Sequence, residues 1–169
     1  MQSWLYIAFY RRARLGSYHW TIIPSELETG PLDDTQEFQI SDLSGGWELA
    51  HRDASRKLCS LPKELPLVGC VRLPTVDIDK AEITAFISEY GASDDAPPGL
   101  RDPHWSGARW VLRIVRDLVE AGLLSIGPRG SVESQFEDGL HRKIMGRVMQ
   151  LEAAPTNGES FSGIRVIGY

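Results

Sequence analysis

The stretch Ser106-Gly107-Ala108-Arg109-Trp110-Val111-Leu112-Arg113-Ile114-Val115-Arg116-Asp117-Leu118-Val119-Glu120-Ala121-Gly122-Leu123 decides the reading of this chain. Ala108, Val111, Leu112, Val115, Leu118, Val119 and Leu123 recur at helical spacing and form one apolar stripe. Arg109, Arg113, Arg116, Asp117 and Glu120 fall on the opposite side, as in a helix that covers a core. Ser106 has the chemistry of an N-cap and Gly122 that of a C-terminal stop. Gly107 is out of place, because glycine in a helical turn is worse than alanine by up to about 1 kcal/mol. Two readings are open. Either Gly107 lets a neighbour pack close, or the helix start faces a pocket, where unpaired N–H groups and the positive end of the dipole meet a carbonyl or carboxylate oxygen.

Upstream of this helix the period is that of strands. Residues 3–10 and 18–23 are apolar and aromatic, flank a turn rich in arginine with Gly16, and predict an N-terminal hairpin that Pro24 halts. Residues 36–40 and 46–51 around the turn residues 41–45 predict a second hairpin, and 67–73 a buried strand. Residues 77–90 predict a helix capped by Asp77, and 132–152 a last helix with Phe136, Leu140, Ile144, Val148 and Leu151 inward. Residues 155–163 read as loop, and 164–169 as an edge strand. Strands first and helices after them make an α+β fold, an antiparallel sheet with helices packed on one face. The expected organisation is a single domain over 1–169: mainly strands in 1–75, mainly helices in 76–152, and a tail in 153–169. A chain of 169 residues is long enough to bury a core without staples.

Composition narrows the function classes. A net charge of −5 and a pI near 5.4 argue against a nucleic-acid binder, whose affinity rests on a basic surface. Arg11, Arg12 and Arg14 form the one compact basic cluster, in the predicted turn, where they are either solvated or face an anion. No apolar run reaches the roughly 20 residues of a membrane span. The apolar N-terminus lacks a basic lead and runs into arginines, unlike a secretory signal, so a cytoplasmic location is expected. Cys59 and Cys70 make no disulfide framework and are expected as reduced thiols. The histidines at 19, 51, 104 and 141 show no metal-ligand spacing, so no metal and no cofactor are expected. His19, between Tyr18 and Trp20, is open to a structural or a catalytic role. His51 closes a strand, while His104 and His141 read as solvated residues of a loop and a polar helix face.

The order of these pieces, an early strand with His19, further strands, then a late helix opened by a small residue, resembles the circularly permuted papain-like fold of the NlpC/P60 superfamily. More closely, the chain is similar to small uncharacterised fungal proteins of that kind. Their late helix opens with Asn-Cys or Ser-Cys, two residues, then Trp-Val, where this chain has Ser106-Gly107-Ala108-Arg109-Trp110-Val111. The stretches Val68-Gly69-Cys70-Val71-Arg72-Leu73-Pro74 and 118–122 share the likeness, which covers about residues 3–124. It implies His19 as the catalytic histidine and His51 as the polar residue that orients it. The nucleophile position falls on Gly107, which has nothing to ionise, so covalent cysteine catalysis is excluded there.

Three functions follow as expectations. The first is a cofactor-free enzyme of the cyclase or isomerase type, in a biosynthetic pathway of the fungal kind. His19 and the N–H groups at Gly107 would polarise the carbonyl of an apolar small molecule, and Trp20, Trp47, Trp105, Ala108 and Trp110 would wall the cleft. The second is a hydrolase or acyl-transferase using Ser106, or one whose cysteine at 107 has been replaced. The third is a non-catalytic binding protein.

Overall fold

The structure is a computed structural model that describes residues 2–31, 36–42, 44–52, 66–94, 102–126, 133–153, 158–161 and 164–169. Alternating apolar residues form β1 (Trp4–Arg11) and β2 (Tyr18–Ser25), which pair antiparallel from Trp4 with Ser25 to Arg11 with Tyr18. Pro24 does not end β2. It pairs with Leu5, and it is tolerated because the other edge of β2 is bridged only at Ile22, to Phe38, among the described residues. The second hairpin is present with a short ladder, β3 (Ile40–Ser41) on β4 (Glu48–Leu49), extended by a bridge from Glu37 to Arg52.

The sheet is mixed, which corrects the expectation of an antiparallel one. Its order is β2-β1-β5-β7-β6, with β5 at Leu67–Arg72, β6 at Glu159–Phe161 and β7 at Ile164–Gly168. β7 lies parallel to β5, Cys70 opposite Val166, and β6 takes the edge expected of β7, within a stretch read as loop. A parallel neighbour needs a long crossover, and the helical part of the chain supplies it. Gly69 is required at this junction. Its φ is +153°, and a Cβ there would stand 2.7 Å from the carbonyl oxygen of Arg165.

The helices are α1 (Lys80–Ser88), α2 (Gly107–Glu120) and α3 (Glu133–Ala153). α1 starts later than expected: Asp79, not Asp77, is its cap, because Asp79 and Glu82 complete a reciprocal capping box. Ser106 caps α2 as expected. At the other end the N–H of Leu123 reaches the Leu118 carbonyl at 2.9 Å, and that of Gly122 reaches Val119 at 3.0 Å, with Gly122 at φ +75°. These bonds satisfy carbonyls the helix would otherwise strand.

The inward face of α2 is wider than its stripe suggests, since Trp110 and Ile114 are buried with Val111, Leu112, Val115 and Leu118. They meet Leu5, Ile7, Phe9, Trp20 and Ile22 of the sheet and Leu140, Ile144, Val148 and Leu151 of α3 in one core. Each such side chain contributes about 1.5–3 kcal/mol by leaving water, so this contact holds the helices on the sheet. Glu137 of α3 ties them laterally, 3.4 Å from Arg109 and 2.9 Å from Arg116 of α2. The opposite sheet face buries Tyr6, Ala8, Tyr10, Ile23 and Cys70 in a smaller cluster. Among the described residues no helix is long and apolar enough to cross a membrane.

Candidate functional site

Successive residues of a strand point to opposite faces. In β2, Trp20 and Ile22 therefore join the helix-side core with Phe9, while His19 and Thr21 share the outer face with Tyr10. The Phe9 and Trp20 rings meet edge to face at 4.8 Å, and Tyr10 and His19 at 6.5 Å. α2 begins beside this strand. A Cβ at Gly107 would lie 3.8 Å from the carbonyl oxygen of Ile40 and 3.9 Å from that of Trp20. Both are ordinary contacts, so close packing does not require glycine at 107.

A cavity of about 270 Å³ opens at this point. Ser106, Gly107 and Ala108 line it together with Tyr18, His19, Trp20, Trp47, His141 and Met145, and Arg12, Gly16 and Ser17 stand at the β1–β2 turn. The Ser106 hydroxyl accepts from the Arg109 N–H at 3.3 Å, and the Ser106 carbonyl from Trp110 N–H at 2.9 Å. Helix geometry leaves the N–H groups of Gly107 and Ala108 without an intrahelical acceptor. Among the described residues neither amide has another acceptor, so two unpaired donors at the positive end of a 14-residue helix border the cavity.

His141 was expected on a polar helix face. One side of its ring is in solvent, and the other stacks on Trp20, centroids 5.4 Å apart and planes within 5°. Burial, and after it the positive charge of Arg109, hold its pKa below the usual histidine value, against a smaller opposing effect of Asp138. No described residue hydrogen-bonds its ring nitrogens. Its ring borders the cavity, and the lowered pKa favours the neutral imidazole.

His19 is placed differently. Its Nε2 bonds to Gln39 Oε1, and Arg12 Nη2 lies 3.3 Å from its Nδ1. The Gln39 amide donates to the Ala50 carbonyl at 2.7 Å, so its oxygen faces the ring. Hence Nε2 carries the proton and Nδ1 accepts from the guanidinium, and both nitrogens are engaged. Burial, then Arg12 and Arg52, lower its pKa, opposed by the Gln39 bond and by Asp42. His19 lines the same cavity as the α2 start, but its imidazole turns to the outer face, away from Trp20.

His51 does not orient His19 directly. Its Nδ1 accepts from the Gln39 N–H at 3.2 Å, and its ring packs on Phe38 and Trp110. Burial lowers its pKa. Gln39 is the residue that holds His19. Sequence reading missed it because only the pairing of Ile22 with Phe38 reveals that Gln39 stands opposite Thr21, two residues along β2 from His19 and on the same face.

Of the expected aromatic wall, Trp20, Trp47 and Ala108 line the cavity; Trp105 and Trp110 do not. Trp110 is a core residue, 1% exposed, with its indole N–H on the Gly91 carbonyl at 2.9 Å. Trp105 donates to Ala92 at 3.0 Å, and the Arg113 guanidinium sits 4.6 Å over its ring. Cys70 is fully buried, and burial pushes its thiol pKa up, the reverse of an activated nucleophile. Cys59 lies outside the described residues. Exposed His104 sits in the turn before α2, away from the cavity. Arg11 pairs with Glu152 of α3 at 2.8 Å, and Arg12 alone of the basic cluster reaches the cavity. Among the described residues no group of His, Cys, Asp and Glu could hold a metal ion. Compared with known proteins, the chain matches no family model, no curated sequence and no solved structure.

Proposed function

We propose that this chain is a cofactor-independent enzyme that isomerises or cyclises a small, largely apolar carbonyl compound without a covalent intermediate. The observation that carries this reading is the meeting, in one cavity, of the free amides that open α2 and the unbonded imidazole of His141. Its 270 Å³ is just below the roughly 300–1,000 Å³ of small-molecule sites, which favours a compact substrate. Trp20 and Trp47 hold the apolar body. The carbonyl oxygen accepts from Gly107 and Ala108, and His141 takes a proton from the carbon α to the carbonyl. The charge gathers on the oxygen as an enolate facing the amides and the helix dipole. Return of the proton to the γ carbon of an unsaturated ketone shifts its double bond and gives an isomer, while attack of the enolate carbon on a second carbonyl of the same molecule opens that C=O bond, and the resulting alkoxide takes the proton back from His141 as the ring closes. Neither outcome needs an oxidant or a nucleophilic side chain.

In this reading the permuted papain-like layout keeps its helix start and histidine strand and has lost its nucleophile, with the catalytic base moved from His19 to His141. Ser106 is disfavoured as a substitute, because its hydroxyl oxygen is engaged by the Arg109 amide. A cytoplasmic biosynthetic setting, as in the fungal proteins the sequence resembles, belongs to the same proposal.

The test follows deuterium uptake at the α carbon of a panel of small ketones in heavy water by proton NMR. The native protein accelerates exchange in at least one of them. His141→Ala, a change at a partly exposed helix position, loses about 10²–10⁴-fold of that rate. Binding without exchange, or exchange that survives His141→Ala, refutes the enzyme reading; the first leaves a binding protein.

A further inference from the structure

On the outer face of the sheet, past the edge of β2, lies a second and larger cavity of about 400 Å³. Register defines its walls. Ser41 pairs with Glu48 and Glu37 bridges Arg52, so Glu48, Ala50 and Arg52 alternate onto the face that carries Gln39, Ser41 and His19. Arg12 and Asp42 complete the charged lining. Two positive and two negative groups therefore face one space, and their formal charges cancel. None of the four makes an ion pair within 4.0 Å with a described residue, although partners of opposite sign line the same cavity. Elsewhere the protein pairs such groups readily, as Arg109, Arg113 and Arg116 show.

Buried polar atoms on this same face lack partners. Thr21 and Glu37 are 0% and 5% exposed, and among the described residues neither Thr21 Oγ1 nor Glu37 Oε2 has a hydrogen-bond partner. The other oxygen of Glu37 accepts from the Tyr10 hydroxyl at 2.6 Å. Most buried polar groups in native structures are paired, so each unpaired one calls for an explanation. Burial raises the pKa of Glu37 and of Tyr10 and lowers that of His19, so displaced titrations cluster here as well.

We propose that this face binds a small zwitterion of the free amino-acid type, its carboxylate held by Arg12 and Arg52 and its ammonium by Asp42 and Glu48. Planar guanidinium groups suit a carboxylate. A phosphate or other dianion fits less well, because it would bring its charge beside Asp42 and Glu48 with no cation of its own to offer them. Ala13 and Ala50 leave room for the side chain of the ligand. The proposal stands apart from the carbonyl chemistry on the helix side, although Arg12 and His19 border both cavities.

The experiment titrates the protein with L-leucine and with L-glutamine, following backbone amides by nitrogen–proton correlation NMR. N-acetyl and carboxamide forms of both, and inorganic phosphate, serve as comparisons. Free amino acids are expected to bind saturably, at millimolar or lower concentration, with shifts at Gln39, Ser41 and Ala50. Blocking either charge of the ligand weakens binding tenfold or more, and so do Arg52→Gln and Asp42→Asn, both at exposed positions. The same affinity in His141→Ala separates this site from the proposed active site. No saturable binding, tighter binding of phosphate, or affinity unchanged in Arg52→Gln and Asp42→Asn overturns the proposal.

Discussion

Gly107→Cys introduces a thiol at the first residue of α2, and its behaviour follows from the geometry. The added Cβ meets only the carbonyl oxygens of Ile40 and Trp20, at 3.8 and 3.9 Å, so the variant folds without displacing its neighbours. Loss of glycine's freedom in the unfolded chain is worth up to about 1 kcal/mol in its favour. The thiol would sit in the first turn of α2 with Arg109 and Arg12 nearby. A helix N-terminus stabilises an anion by about 0.3–1 kcal/mol at the surface and up to about 2 when partly buried. At about 1.4 kcal/mol per unit, that lowers a thiol from about 8.5 to between about 7.1 and 8.3. The neutral imidazole of His141 adds little, so the far deeper depression of a thiolate–imidazolium pair is not expected. Peptide-resolved alkylation by iodoacetamide across a pH series gives the value directly, with Cys70 as a buried, unreactive internal control. A thiol at 107 that titrates at or above about 8.5, or is not alkylated, refutes the claim that the α2 N-terminus opens into the cavity.

Trp110→Ala should cost about 3–5 kcal/mol in urea unfolding, because Trp110 is a 1% exposed core residue and not a wall of the cleft; a change under about 1 kcal/mol contradicts that placement. The pH dependence has two parts of opposite sign. His19, His51 and His141 all have folded-state pKa values below 6.5, so they release protons on folding. Their contribution is complete above about 6.5 and is lost as the pH falls below it. Glu37 is raised above 4.5, so its contribution is present below 4.5 and is lost as the pH rises through the folded value. Glu37→Gln should therefore stabilise the protein relative to the native chain at neutral pH, by an amount that vanishes near 4.5; denaturant midpoints across that range decide it, and a destabilised neutral-pH variant contradicts the burial argument.

Local chemistry made much of this legible. The caps of α2, Ser106 and Gly122, need only neighbours in sequence, and so do the apolar faces of α2 and α3. The second hairpin was readable from its turn residues 41–45. The parallel placement of β7 beside β5 was not, since it depends on pairing across almost a hundred residues. The same limit governs the site. Side-chain alternation alone separates His19 from Trp20, yet which face carries α2 is a tertiary fact, and it sends the imidazole to the outer side. His141 looked solvated among charged helix residues because its stacking partner, Trp20, is 121 positions away. Trp105 and Trp110 flank the right glycine, but the helical turn rotates Trp110 into the core and the indole of Trp105 onto Ala92.

The most direct measurement is the response of the Gly107 and Ala108 amide protons when a small phenolate, an enolate mimic, is added to the isotopically labelled protein. The account predicts that these amides move downfield together, with the His141 ring signals, and saturate at one common dissociation constant. Shifts that spare all three while the phenolate binds elsewhere, or no binding at all, contradict it.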